Sequence, residues 1–203
     1  MKAPLSWLKD FVEIDLSLVE LAHRLTMAGL EVESIQLIGL PLPPAGSTTA
    51  KVSGLTWEPE KIVAAAVTEV MPHPNADRLV LCRLEDGQQE HIVLTGAPNL
   101  FEYKGKGPLP QPLKVAYAKE GAMLYDGHQE GYVLTTLKRT KIRGVESYSM
   151  ICSEKELGIS DEHEGIMFLD DAASVGTPLV ELLGDAILEV NLLPSFARCA
   201  SIF

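Results

Sequence analysis

Four cations fall within six residues, at Lys138, Arg139, Lys141 and Arg143. Contacts to phosphate oxygens need long cationic side chains held on a rigid edge, and a strand end supplies one. Neighbours on a strand alternate faces. A regular strand here would set Arg139, Lys141 and Arg143 on one face and Lys138 on the other. Tyr148 and Tyr103 are the nearest aromatic rings that could stack on bases. Arg78, Asn75, Lys104 and Lys106 are the further candidates for an RNA contact. The run reads equally well as a solvated charged strand with no ligand. If the run does not bind, Arg78, Arg83 and the Lys104–Lys106 loop are the next face to consider.

Other clusters carry less chemistry. His73-Pro74-Asn75-Ala76-Asp77 offers a His and an Asp four apart, too few ligands to close a metal shell. Pro72 and Pro74 restrict the backbone, and Asn75 and Asp77 bond locally, so the segment reads as a turn that leaves Arg78 able to touch RNA. Asp161, Glu162, His163 and Glu164 read as an exposed acidic loop rather than an acid/base pair or a cation site. Cys152, after an apolar Met-Ile pair, reads as a small buried residue. No Walker loop, Gly-x-Gly-x-x-Gly, nucleophile elbow or zinc spacing is visible. Neither a catalytic centre nor a metal site is expected in this chain.

These residues need elements to position them. Residues 1–38 read as strand, helix, strand: Ser17-Leu18-Val19-Glu20 is a capping box, Leu18, Leu21, Leu25 and Ala28 follow at helical spacing, and Gly29 suits a helix end. Glu31–Ile38 alternates polar and apolar as a half-buried strand does. Residues 39–58, rich in Pro, Gly, Ser and Thr, read as an exposed linker. The middle of the chain reads as short strands at Ile62–Val70, Leu79–Leu84, His91–Leu94, Lys114–Ala118, Tyr132–Leu137 and Ser149–Cys152, with turns at Asp86-Gly87 and Asp126-Gly127. Many short strands over this span point to a small barrel or sandwich. Residues 102–112, with three prolines, are expected to be an exposed loop. Ser153-Glu154-Lys155-Glu156 is a second capping box, opening a helix that ends at Gly158. Thr177-Pro178 starts another helix, and Ala186–Leu193 reads as a strand.

Charge follows the same division. The 203-residue chain has formal net charge −11, yet 11 of its 17 basic residues lie in residues 59–152, where 11 acidic residues balance them. Residues 153–203 carry 2 basic and 10 acidic side chains. A phosphate-binding face therefore belongs to the middle segment. The longest aliphatic run, Ile62–Val67, is six residues, against the roughly 20 that a spanning helix needs. Lys9, Asp10 and Glu13 interrupt anything like a signal peptide. Three cysteines do not make a disulfide framework, so a cytoplasmic location is expected.

Three stretches, taken in order, carry a resemblance. His73-Pro74-Asn75-Ala76-Asp77-Arg78-Leu79, Gly96-Ala97-Pro98-Asn99 and the run Lys138–Ser153 together resemble the tRNA-binding OB-fold domain of several aminoacyl-tRNA synthetases and stand-alone tRNA-binding proteins. The flanks Leu5–Phe11, Leu25–Glu33, Ser153–Gly158 and His163–Ile166 resemble the start of the bacterial phenylalanyl-tRNA synthetase beta subunit. Three positions depart from that pattern: Ser149 where glycine is usual, Thr95 where cysteine is frequent, and Pro194-Ser195-Phe196-Ala197-Arg198-Cys199 in place of a Pro-Asn-Arg-Pro-Asp-Cys turn.

The resemblance implies an α+β fold in which a small OB-type β-barrel is inserted into a discontinuous α/β domain. Residues 1–38 plus 153–193 would form the platform, 39–58 the linker and 59–152 the barrel. Residues 194–203 would begin a connection to downstream domains. It implies tRNA binding and subunit architecture within a phenylalanine–tRNA ligase, with an alpha subunit and the remaining beta domains as partners in a heterotetramer. ATP and magnesium would serve the full enzyme, with no cofactor in this chain. Two other readings stay open. One is a stand-alone OB-fold tRNA-binding or RNA-chaperone protein. The other is a protein-docking module without RNA contact.

Overall fold

The computed structural model describes residues 1–195. In chain order its elements are β1 (Lys2–Pro4), α1 (Leu5–Phe11), α2 (Leu18–Met27), β2 (Glu31–Gly39), β3 (Lys51–Thr56), β4 (Ile62–Pro72), β5 (Val80–Glu85) and β6 (Glu90–Thr95). A 3-10 turn, Pro98–Tyr103, leads to β7 (Pro108–Ala118), β8 (Met123–Tyr125), β9 (Leu134–Thr136), β10 (Thr140–Ile142), β11 (Val145–Ser147) and β12 (Met150–Ile151). The chain continues through α3 (Glu154–Leu157), α4 (Leu179–Leu183) and β13 (Asp185–Asn191). It divides into two compact units: Met1–Thr56 with the stretch that begins at Gly184, and Trp57–Leu183.

In the first unit a four-stranded sheet runs β1-β13-β2-β3. β13 is antiparallel to both β1 and β2, and β3 lies parallel to β2. Strands from the two ends of the chain thus share one sheet. Ser17 caps α2 by accepting the Glu20 amide at 3.3 Å. Ala22 of α2 and the flanking Leu18, Leu21 and Leu25 pack on Val32, Ile35, Leu37, Leu188 and Val190. The linker expected over 39–58 is only partly one, because Lys51–Thr56 pair with Ser34–Gly39 as β3. Two packing facts override the polar composition there. Leu55 is buried, and Gly54 at φ +139° lets β3 approach where an added Cβ would lie 2.1 Å from the Leu37 carbonyl oxygen. α1 is a further addition: its Leu5 and Leu8 reach the same core.

The second unit is mostly sheet. Five antiparallel strands run β12-β7-β4-β5-β6, and β12 also lies beside β6, so the sheet curls into a nearly closed barrel consistent with an OB-type fold. Val63, Val67, Val70, Val80, Leu84, Val93, Val115, Tyr117 and Ile151 fill the interior. β4 is buried on both faces from Ile62 to Val67. Its outer alanines leave room for a covering layer: Ala64 donates to the Thr177 carbonyl at 2.9 Å, and Gly176 donates to the Ala64 carbonyl at 2.8 Å. Met167 likewise donates to Cys152 O, and Leu169 to Lys114 O, at 2.9 and 2.8 Å. This is why Ser153–Leu183 cluster with the barrel rather than with the first unit, where residues 153–193 were expected; of that stretch, β13 alone pairs with the sheet of the first unit.

Residues 102–112 also depart from the expected loop, since β7 begins at Pro108. The β4–β7 register jumps from Val67↔Leu113 to Glu69↔Pro108, so Pro110 and Pro112 sit in an irregularity where a missing donor is tolerated. Of the segment 194–203, residues 196–203, including Cys199, lie outside the described residues.

Candidate nucleic-acid interface

The basic run does not form one strand. Thr140–Ile142 and Val145–Ser147 pair as a hairpin, with Thr140 opposite Ser147 and Ile142 opposite Val145. Arg143 and Gly144 make its two-residue turn, at φ +50° and +94°. Positive φ at both positions is the type I′ pattern that matches strand twist. Arg143 therefore leaves the strand instead of sharing a face with Arg139 and Lys141. The alternation survives on the other side: Lys138, Thr140 and Ile142 line a groove of about 620 Å³ with Leu79, Gly96 and Ala97.

Arg139 is already engaged within the chain. Its guanidinium pairs with Glu120 at 3.1 Å and Glu146 at 3.4 Å, and lies 4.8 Å from the centre of the Tyr148 ring. The hydrogen bond to Glu120 is the main cause of its raised pKa. One face of Tyr148 is thus covered by Arg139, and Tyr103 packs half-buried against the barrel core. Lys138, Lys141 and Arg143 are exposed and form no ion pair among the described residues.

Two loops meet the hairpin or one another. Asn75 Nδ2 donates to the Arg143 carbonyl at 3.3 Å. Lys104 Nζ donates to the Asp77 carbonyl at 2.7 Å and sits 5.9 Å from the Phe101 ring centre. Gly105 N–H bonds to Val70 O at 2.8 Å, which ties that loop to β4. The loop after β4, the loop after the 3-10 turn and the hairpin are therefore linked in series. Arg78 and Lys106 are exposed on these same loops. His73 is buried, and its Nδ1 accepts the Asn75 amide at 3.0 Å, as a structural turn requires. Among the described residues no group of three metal-ligating side chains is assembled.

Asn99 has a structural part to play. Its carboxamide spans Ile166, accepting from its N–H at 3.2 Å and donating to its carbonyl at 2.9 Å. The Gly-Ala-Pro-Asn stretch and the His163–Ile166 stretch are thereby joined. Asp161–Glu164 are exposed, as the acidic-loop reading has it.

Spacing did not reveal a polar network beneath the hairpin. Asp86, 2 % exposed, accepts the amides of Gln88 and Gln89 at 3.0 and 2.9 Å and lies 3.0 Å from Lys119 Nζ and 3.2 Å from His91 Nε2. Burial alone would raise its pKa; the Gln89 and Gln88 amides, Lys119 and His91 outweigh burial and hold the carboxyl well below the usual range. His91 Nδ1 is in turn 3.4 Å from the Tyr148 hydroxyl. The Asp86-Gly87 dipeptide marks a turn in the sequence, but nothing local announces Lys119 as the ion partner of Asp86.

Residues 116–178, which include the hairpin, match the family model described as "Putative tRNA binding domain". Over 96% of its length the chain is 42% identical to the phenylalanine–tRNA ligase beta subunit of Dehalococcoides mccartyi. It is 41% identical over its whole length to that of Protochlamydia amoebophila, and 40% identical over 97% to that of Geobacter sulfurreducens. The chain is similar to the N-terminal part of phenylalanine–tRNA ligase beta subunits. It spans about a fifth of the length of these relatives, 21–22%. Among solved structures it is similar to a MetRS related protein from Pyrococcus horikoshii, at TM-score 0.38 and 15% identity, covering 58% of this chain and 86% of that one. No helix among the described residues is long and apolar enough to cross a membrane.

Proposed function

We propose that this chain is the tRNA-contacting, structural N-terminal region of a phenylalanine–tRNA ligase beta subunit. The observation that carries the reading is the linkage of three segments at one rim of the barrel. The Asn75–Arg143 and Lys104–Asp77 hydrogen bonds bring the loops carrying Arg78, Lys104 and Lys106 alongside the hairpin that presents Lys138, Lys141 and Arg143. Such a rim suits a phosphate backbone, whose contacts position an RNA without reading its sequence. The first unit serves, in this reading, as a platform made from both ends of the chain, interrupted by the barrel.

Charging of tRNA with phenylalanine belongs to the full enzyme, a cytoplasmic assembly with the alpha subunit and the remaining beta domains. In this reading ATP and magnesium serve the full enzyme. Filter binding of phenylalanine tRNA over a range of salt concentrations tests the reading. With Lys138, Lys141 and Arg143 each on one phosphate, log K against log[salt] should fall with a slope of roughly −2 to −3. No retention of tRNA even at low salt would instead favour a protein-docking module.

A further inference from the structure

Arg143 alone among the described non-glycine residues occupies the left-handed region, at φ +50°. A side chain with a Cβ is disfavoured there, and two-residue type I′ turns prefer Asn-Gly or Asp-Gly for that reason. Gly144 fits the second position, while Arg143 does not fit the first on its own account. The hairpin it closes is short and exposed, so little local packing compensates.

Compensation comes from another loop. Asn75 Nδ2 donates to the Arg143 carbonyl at 3.3 Å, and a Cβ added at Gly144 would lie 3.7 Å from that same nitrogen. Asn75 is itself anchored, because its backbone N–H donates to Nδ1 of His73 at 3.0 Å, and His73 is only 6% exposed. A continuous path of hydrogen bonds therefore runs from a buried imidazole, through Asn75, to the strained tip. Strain of this kind persists where the surroundings over-determine it, and it concentrates at functional sites.

We propose that Asn75 is the positioning residue of the hairpin tip: it holds the Arg143 backbone so that the Arg143 guanidinium meets an RNA phosphate, and it does not itself touch the RNA. This rests on the RNA-binding reading above. A fixed guanidinium loses less freedom on binding than a mobile one, and its planar fork can hold a phosphate through two parallel hydrogen bonds.

The test uses the whole chain and transcribed phenylalanine tRNA. Asn75→Ala and Arg143→Ala should each weaken binding roughly tenfold and each flatten the salt slope by roughly 0.7–0.9. The double variant should bind no more weakly than either single one, because both remove the same contact. Asn75→Gln keeps the donor on a longer stem and should recover part of the lost slope. A second arm needs no RNA: the Arg143 and Gly144 amide resonances should shift or broaden in Asn75→Ala while the barrel resonances stay in place. Unchanged tip resonances overturn the proposal. So does a slope that Arg143→Ala flattens and Asn75→Ala leaves alone. Additive losses in the double variant would mean that Asn75 contacts RNA directly, which also overturns it. A wild-type chain that does not bind tRNA removes the RNA-binding reading, and the phosphate role with it, whatever the tip resonances show.

Discussion

At the scale of single residues, burial and pairing decide which side chains can do anything. Asp86 is fully engaged, and its depressed pKa has a direct consequence for stability. A carboxyl whose folded pKa lies below its unfolded value of about 3.9 contributes stability above that value and loses it as pH falls toward the folded pKa. The urea midpoint should therefore drop as pH is lowered below about 4, and Asp86→Asn should flatten that decline. Asp86→Ala should cost about 3 kcal/mol at neutral pH, because Lys119 and His91 lose their buried partner and two amides lose their acceptor. Cys82 and Cys152 are completely buried, and burial pushes the Cys82 thiol up to about 12 and that of Cys152 well above its ordinary value. Thiolate is the reactive form, so mass mapping after alkylation of the native chain at pH 8 should find neither residue labelled, and both labelled in urea. The sequence made Cys152 legible, since its apolar neighbours announce burial. It could not announce that Arg139 is held by Glu120, nineteen positions away, and Glu146, because that is a tertiary fact.

At the scale of elements, legibility followed local signals. α2 and α3 declare themselves through Ser17 and Ser153, whose side chains cap them. The β5–β6 hairpin declares itself through Asp86-Gly87. β3 does not, because Ser53, Gly54 and Thr56 look like linker until β2 is alongside to pair with them. The β10–β11 hairpin stays hidden because Arg143 stands where Asn or Asp would have marked the turn. The two glycines Gly54 and Gly46 separate the causes of strain. Gly54→Ala drives a methyl into the Leu37 carbonyl and should cost about 4 kcal/mol in urea denaturation, near the top of the usual range. Gly46→Ala has open space at its φ of +78° and should cost only about 1–2 kcal/mol, for the backbone conformation alone. Equal losses at the two positions would show that β3 does not lie against β2 as described.

At the scale of the whole chain, the first unit is joined across its full length. Met1 N–H donates to Val190 O, and Val190 N–H donates to Met1 O, each at 2.7 Å. A broad-specificity protease should cut first within 40–50, where the chain between β2 and β3 is mostly exposed. The nicked pieces should still co-elute, because β1, β2 and β3 are all held in one sheet with β13. That sheet also sets a timetable during synthesis. The barrel unit is one unbroken stretch and can fold as soon as it clears the ribosome. The first 56 residues emerge earlier but must wait for β13, on the order of ten seconds at ordinary translation rates, with β1 and β2 lacking their shared central neighbour. For that interval the nascent chain carries β2 with an open strand edge while the barrel strands are still emerging, the moment at which a chaperone has most to protect.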